Sequence, residues 1–244
     1  MSEVRAILPA LRELRERIAR AQSLFVLTGS GISSESGLPT FRGVGGLWRT
    51  HRVEELASPD GFARDPQLVW TWYNERRAAH RAATPSVAHR ALAQLEAQHA
   101  DFTLATQNVD SLHLRAGSKN VIELHGHLRE ARCTDCAARR PLDEPLPLAA
   151  IEHACGGRWR PDIVWFGEPL PPAAWQRAIE SARRADVMLV VGTSGLVAPA
   201  ASIATRYAAA AYVIEINPDP TAISTHVDVC VRGRASDVLP ELVA

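Results

Sequence analysis

Long apolar runs are missing from this 244-residue chain: the longest, such as VMLVVG at 187–192, are strand-sized and fall far short of the ~20 residues a membrane-spanning helix needs. Net charge is missing too. The 27 basic and 27 acidic side chains cancel, so no global field draws the chain to nucleic acid or to an anionic membrane, and neither is expected as a partner. Cysteine is scarce, with 4 residues, two of them spaced as Cys133-x-x-Cys136. That usage fits a metal knuckle in a reducing compartment better than a disulfide framework. The opening MSEVRAILPALRELRERIARAQ mixes both charge signs and lacks an apolar core or a small-residue cleavage site, so no secretory signal is expected. A cytoplasmic monomer is the default expectation. Internal repeats and low-complexity tracts are absent.

What the chain does contain is a hydrophobic share of 46%, enough at this length for one large α/β domain with a small inserted lobe. Val4, Ile7, Leu8, Leu11, Leu14 and Ile18 recur at helical spacing, which predicts an amphipathic helix over 3–21. Short apolar runs at 24–28, 102–106, 121–124, 187–193, 212–217 and 227–231 read as buried strands. Alanine-rich stretches at 86–99, 173–185 and 199–210 read as helices between them. Strands alternating with helices predict a parallel sheet covered on both faces. Two segments break the rhythm. Residues 43–85 read as short helices split by Pro59 and Pro66; residues 129–162 hold three cysteines, the proline-spaced RPLDEPLP and Gly156-Gly157, with no long periodic element. Cys230 reads as core.

The stretch TGSGISSESGLPTFRG at 28–43 starts like a phosphate-binding loop. A strand delivers the chain into Gly29-Ser30-Gly31, where a backbone without β-carbons can turn sharply beside a pyrophosphate. A tight strand-to-helix turn with no ligand would give Gly-x-Gly equally well. Two features of a dinucleotide fingerprint are absent: Ser34 stands at the third glycine's place, and Glu54 and Glu55, which fall near the expected acidic position, follow no apolar strand. Asn217, ending YVIEIN, is the better ribose partner. The loop is therefore expected to hold a dinucleotide outside a hydride-transfer fold.

Three further segments narrow the reading: TQNVDSLHLRAGS (106–118), ELHG (123–126) and RPDIVWFGEPLP (160–171), followed by VGTSGLVAPAA (191–201). With the opening loop, this ordered set closely resembles the sirtuins, NAD-dependent protein lysine deacylases, over nearly the whole chain. The resemblance implies a Rossmann-like, doubly wound parallel sheet with helices on both faces, built from 1–42, 86–128 and 163–244. It implies a helical insertion, 43–85, carrying the cofactor loop and acyl pocket, and a small zinc-ribbon-like lobe, 129–162. NAD would be consumed as co-substrate, and acyl-lysine proteins or peptides would be the partners.

On that resemblance His125 is the catalytic base, since an imidazole can deprotonate a ribose hydroxyl near neutral pH; position alone fits a structural histidine as well. Asn108 and Asp110, just past a strand end, would orient the ribose and the nicotinamide carboxamide, with Gln107 beside them and the Ile32 backbone as helper. Gly29, Ser30, Gly31, Gly192, Thr193, Ser194, Asn217 and Ala235 would hold phosphate, ribose and adenine. Phe41 would guard the sugar face against water and Arg42 would position the cofactor. Trp165-Phe166-Gly167-Glu168 and Gly195-Leu196-Val197 would form backbone ladders on either side of a substrate peptide; both read equally well as core strands.

Tyr73 and Arg76, three apart in WTWYNERR, share a face if helical and are similar to a Tyr-x-x-Arg pair with which one sirtuin class recognises succinyl or malonyl groups. In isolation Arg76 reads as one of several arginines on a solvated helix face. Val44 stands where that class has alanine, which narrows the acyl channel, so deacetylation and desuccinylation are both expected. Sirtuin lobes hold zinc through four thiolates; here Cys133, Cys136 and Cys155 are present and the fourth is not. Glu152, three before Cys155, or His153 could complete the tetrahedron, and a lobe held by packing alone stays open. The rival functions are an NAD hydrolase or ADP-ribosyltransferase, and a catalytically silent NAD-sensing module.

Overall fold

The computed structural model describes residues 2–40, 53–136, 138–208 and 210–243. The first apolar period becomes α1 (Ser2–Arg20), which buries Leu11, Leu14 and Ile18. There follow β1 (Ser23–Thr28), α2 (Gly31–Ser34), α3 (Val53–Leu56), α4 (Pro59–Arg64), α5 (Pro66–Ala82), α6 (Val87–Gln98), β2 (Asp101–Thr106), α7 (Leu112–Arg115) and β3 (Val121–Glu123). The chain continues through β4 (Gly126–Cys133), β5 (Arg139–Pro141), β6 (Trp159–Ile163), α8 (Pro172–Arg184), β7 (Val187–Val191), β8 (Tyr212–Ile216), β9 (Val229–Val231) and α9 (Ala235–Val243). Pro59 and Pro66 split residues 53–85 into successive helices, as the sequence suggests, and each proline opens the helix that follows it. Ser58 and Asp65 each cap the first turn with a side-chain oxygen, and Pro59 and Pro66 sit where a helix needs no N–H.

Six strands form an all-parallel sheet in the order β3-β2-β1-β7-β8-β9. The alternation of each strand splits its apolar residues between two cores. Leu24 and Val26 of β1 with Val187, Leu189 and Val191 of β7 pack under α1, α6 and α9, while Phe25, Leu27, Met188 and Val190 pack under α8. This is the doubly covered α/β sheet that the strand and helix rhythm predicts.

β4, β5 and β6 form a separate antiparallel sheet in the order β5-β4-β6, in a segment where the sequence shows no long periodic element. Its inner residues Leu128, Ala131, Leu142 and Trp159 share one core with Leu56, Phe62, Val69 and Trp70 of α3, α4 and α5, so the two insertions pack on each other. The Trp70 Nε1–H donates to the Trp159 carbonyl (2.7 Å) across that seam. The stretch 199–210, expected as a helix, winds only one π-type turn at Ile203–Tyr207, yet it buries Ala200, Ile203, Ala204 and Ala208 on the sheet. No helix among the described residues is long and apolar enough to cross a membrane.

Candidate functional site

Strand order reverses between β1 and β7, and open α/β sheets place ligands at the carboxyl ends of strands flanking such a point. The turns that leave these two strands lie backbone against backbone: Gly29 N–H donates to the Val191 carbonyl (3.0 Å) and Gly31 N–H to the Gly192 carbonyl (2.8 Å). A β-carbon on Gly29 would sit 2.8 Å from Gly192 O, and one on Gly31 would sit 2.8 Å from Gly192 Cα. Packing of the two turns thus requires these glycines, beside the pyrophosphate approach expected of them.

Over this point opens a cavity of about 900 Å³. Gly29, Ser30, Gly31, Gln107, Asn108, His125, Gly192, Thr193, Ser194, Asn217 and Ala235 line its sheet side; Tyr73, Arg76, Trp165, Phe166, Gly167 and Leu196 line the side toward the insertions. Ile32, Asp110 and Gly195 are not in its lining. Ile32 is fully buried in the sheet core, and Asp110 lies nearly buried beneath the floor. Phe41, Arg42 and Val44 lie outside the described residues.

The floor is a closed hydrogen-bond network. The Asn108 side-chain amide donates to the Gly29 carbonyl (3.0 Å) and to Ser33 Oγ (3.1 Å), and Ser33 Oγ–H donates to Asp110 Oδ2 (2.7 Å). Leu112 N–H donates to Asp110 Oδ1 (2.9 Å). Both Asn108 amide hydrogens are thereby engaged, so its carbonyl oxygen is what it can offer a ligand. Burial pushes the Asp110 carboxyl above its ordinary range, against the opposing pull of the Leu112 and Ser33 hydrogen bonds and the Arg76 charge. Gln107 Nε2 donates to Thr193 Oγ1 (3.0 Å) and Asn217 Nδ2 to the Thr193 carbonyl (2.9 Å), which ties three strand ends together.

His125 sits on the turn from β3 into β4. Gly126 next to it has φ +72°, and a β-carbon there would lie 2.3 Å from the Asp162 carbonyl, so only glycine lets the chain turn at this point. His125 Nδ1 lies 3.0 Å from the Gln107 carbonyl. A carbonyl only accepts, so Nδ1 carries the proton and Nε2 is left basic. Burial lowers the imidazole pKa below 6.5, against the raising effect of the Gln107 carbonyl, so the ring is a neutral base near pH 7.

On the insertion side, buried Tyr73 and half-buried Arg76 point from α5 into the cavity. Burial raises the phenol to about 12 and lowers the guanidinium to about 10, so near pH 7 the first is neutral and the second charged. The segments expected to ladder a peptide, 165–168 and 195–197, are irregular loops at the cavity mouth, with Phe166 and Leu196 exposed by 44% and 58%.

In the lobe, Cys133, Cys136, His153 and Cys155 each bring one donor atom within 4.8 Å of all the others. Cys133 Sγ and Cys155 Sγ lie 3.5 Å apart, and His153 Nδ1 lies 3.0 Å from Cys155 Sγ and 3.6 Å from Cys136 Sγ. Three thiolates and an imidazole at these separations suit tetrahedral zinc. Glu152 instead pairs with Arg158 (3.1 Å). Hydrogen bonds from the backbone N–H groups of Cys136 and Asp135 lower the Cys133 thiol, against burial, which favours the thiolate a metal needs.

Sequence reasoning missed Ser33, Thr28, His89 and His113. Thr28 Oγ1 lies 2.8 Å from Thr106 Oγ1 and 2.9 Å from His113 Nε2, and the His89 and His113 rings pack tilted with centres 4.8 Å apart. Burial holds His89 at about 4 and His113 well below 6.5, so both stay neutral and serve as packed hydrogen-bonding groups. Their only signal was polar residues at positions flanking the glycine loop and the strand ends.

A doubly wound sheet with a polar cavity at its reversal point and a neutral histidine on the cavity wall defines the class of α/β proteins that take a ligand at a topological switch point. Residues 29–199 match the family model described as Sir2 family. The chain belongs to the Sir2 family, as the sirtuin resemblance predicts. It is 53% identical to NAD-dependent protein deacylase 2 of Pyrobaculum aerophilum over 93% of this chain and 92% of that protein. The crystal structure of a Sir2 homologue–NAD complex matches with a TM-score of 0.89 at 46% identity, covering 95% of this chain and 92% of the other. A Sir2 protein solved with a myristoylated histone peptide matches with a TM-score of 0.77 at 35% identity, covering 96% and 94%.

Proposed function

We propose that this protein removes acyl groups from protein lysines with NAD as co-substrate, giving nicotinamide, acyl-ADP-ribose and free lysine. The named deacylase relative and the neighbour solved with NAD support the reading. The observation that carries it is the His125 tautomer: Nδ1–H is committed to the Gln107 carbonyl, which leaves a basic Nε2 beside a cavity large enough for a dinucleotide. Bound NAD would supply the activated sugar carbon that takes up the acyl oxygen. His125 then accepts a proton from a sugar hydroxyl. The Asn108 carbonyl orients polar groups of the cofactor on the floor, the buried Asp110 carboxyl holds Ser33 and through it Asn108 in place from beneath, and Thr193 and Asn217 hold the cofactor's far end.

The acyl group is acetyl or an acidic acyl such as succinyl or malonyl. Arg76 forks onto the terminal carboxylate and Tyr73 adds a directional donor, both reaching the cavity from α5. Cys133, Cys136, His153 and Cys155 hold a structural zinc, which ties the lobe's two loops together.

The test is turnover of matched acetyl-lysine and succinyl-lysine peptides with NAD by wild type, His125→Ala and Arg76→Met, followed by mass spectrometry. Acyl-ADP-ribose from wild type and its loss in His125→Ala are expected, with Arg76→Met losing succinyl turnover in preference. Nicotinamide release without acyl transfer would instead indicate NAD hydrolysis or ADP-ribosyl transfer. Tight NAD binding with no turnover would indicate a sensing module.

A further inference from the structure

Tyr73 is 3% exposed, and its hydroxyl oxygen lies 3.1 Å from Trp165 Nε1. An indole N–H donates and cannot accept, so in this contact the phenol oxygen is the acceptor. No other hydrogen-bond partner of that hydroxyl is found among the described residues, so the Tyr73 proton stays uncommitted beside the cavity it lines.

The indole is itself held in place. Glu168 Oε2 accepts from the Trp165 backbone N–H (2.8 Å), and Arg160 grips both Glu168 oxygens while its guanidinium lies 3.4 Å from the centre of the Trp165 ring. Phe62 packs against the same ring at 5.3 Å. An indole clamped this way keeps its N–H on Tyr73 and cannot swing aside to let the phenol rotate.

Resting on the acidic-acyl reading above, we propose that Trp165 is a positioning residue for acyl selectivity: its N–H occupies the Tyr73 oxygen, so the phenol can present only its proton to the acyl tail. With the Arg76 guanidinium beside it, the pair offers donors and no acceptor. A tail ending in acceptor oxygens, as a carboxylate does, is matched at each contact. A tail ending in a donor meets like against like, and one that ends in a methyl leaves the phenol proton unmet.

The test compares wild type, Trp165→Phe, Tyr73→Phe and the double variant on acetyl and succinyl peptides of one sequence, with kcat and KM determined separately. The loss of one oriented hydrogen bond predicts that the succinyl-to-acetyl ratio of kcat/KM falls about fivefold in Trp165→Phe, chiefly through the KM for the succinyl peptide. Tyr73→Phe should fall as far, and the double variant no further, because Trp165 acts through Tyr73. Equal losses on both peptides, or additive losses in the double variant, overturn the proposal. Should Trp165→Phe fail to fold, a benzothienylalanine at position 165 keeps the bicyclic shape, lacks the N–H and is read by the same ratio. Arg76→Met runs alongside. A ratio that falls in Arg76→Met and holds in Trp165→Phe sinks the proposal and keeps the acidic-acyl reading, whereas a wild type without succinyl turnover sinks both.

Discussion

Arg76 and Arg77 are neighbours on α5, yet Arg76 lines the cavity while Arg77 is buried in the seam with the lobe, and Arg77→Met isolates the second. Arg77 is 4% exposed. Its guanidinium donates to the Leu128 carbonyl of β4 (3.1 Å), the Glu144 carbonyl (3.1 Å), the Leu142 carbonyl and Asn74 Oδ1 (3.3 Å), pinning α5 to the lobe. Methionine fills the stem's space and removes every donor. The Leu142 carbonyl keeps Arg81 Nη2 at 2.7 Å, while the Leu128 and Glu144 carbonyls lose the Arg77 donor. Two hydrogen bonds from a charged donor are worth about 1.5 to 3 kcal/mol each, and relief from burying a guanidinium offsets part of that, so a net loss of about 3 kcal/mol is expected. Unfolding entropy for a chain of 244 residues is about 0.5 kcal/mol per degree, which converts the loss into a fall in Tm of about 6 °C. Scanning calorimetry reads it directly. A variant that melts within about 1 °C of wild type would refute the assignment of Arg77 as the staple between α5 and the lobe.

Burial holds His125 below 6.5, so kcat/KM should be flat near pH 7 and fall only as the pH drops through the lowered value; His125→Ala should cut kcat by roughly 10² to 10⁴ with NAD binding retained in calorimetry. An acid limb centred above pH 6.5 would contradict the lowering of the His125 pKa by burial. Metal analysis should find one zinc per chain in wild type and Glu152→Ala and markedly less in His153→Ala; full zinc in His153→Ala would remove the imidazole from the donor set. Burial pushes the Glu168 carboxyl up, but the hydrogen bonds and charge of Arg160 and the Trp165 N–H outweigh it and hold the group below 4.5. Its folded pKa is depressed, so its stabilisation is present above pH 4.5 and lost as the pH falls through the folded value. Glu168→Gln should therefore flatten the acid side of the Tm–pH profile, and an unchanged slope below pH 4.5 would count against the Arg160–Glu168 pair.

The parallel strands were legible because strands covered on both faces become short, nearly continuous apolar runs, as SLFVLT and VMLVV do. β4 was not. Its alternation is broken by a register shift between Gly126 and Ala131, and its charged residues find partners beyond the strand: Arg129 on Glu123, Arg132 on Asp162 and Glu168. The burial of Arg77 was not legible because its carbonyl partners lie 51 to 67 residues away, beyond any local pattern. Spacing put Glu152 level with His153 as a fourth metal ligand. Glu152 forms an isolated antiparallel bridge with Arg158, and successive residues of an extended segment face opposite ways, so the pair that occupies Glu152 leaves His153 to the sulfurs. The cavity's sheet side was legible through a topological rule, since ligand groups gather where strand order reverses; its opposite wall depends on how the insertions fold back, which no local signal carries.

That division has a mechanical consequence. The floor of the site is locked to the sheet through Gly29 on Val191, Gly31 on Gly192, and through Asn108, Ser33 and Asp110. The opposite wall is carried by α5 and the 164–168 loop, which belong to the lobe's core. The start of the loop joins the two halves: Val164 N–H donates to the His125 carbonyl (2.9 Å), and the Trp165 indole reaches Tyr73. On the proposed reading, cofactor contacts thus depend on the sheet and acyl recognition on the lobe. On that reading the base, His125, stands between them, on the turn from the edge strand β3 into the first lobe strand, β4, where a small shift of either half would change its distance to the sugar of a bound cofactor. A metal bound some distance from that base in the lobe would act on the chemistry by holding the wall in register, without contact with substrate.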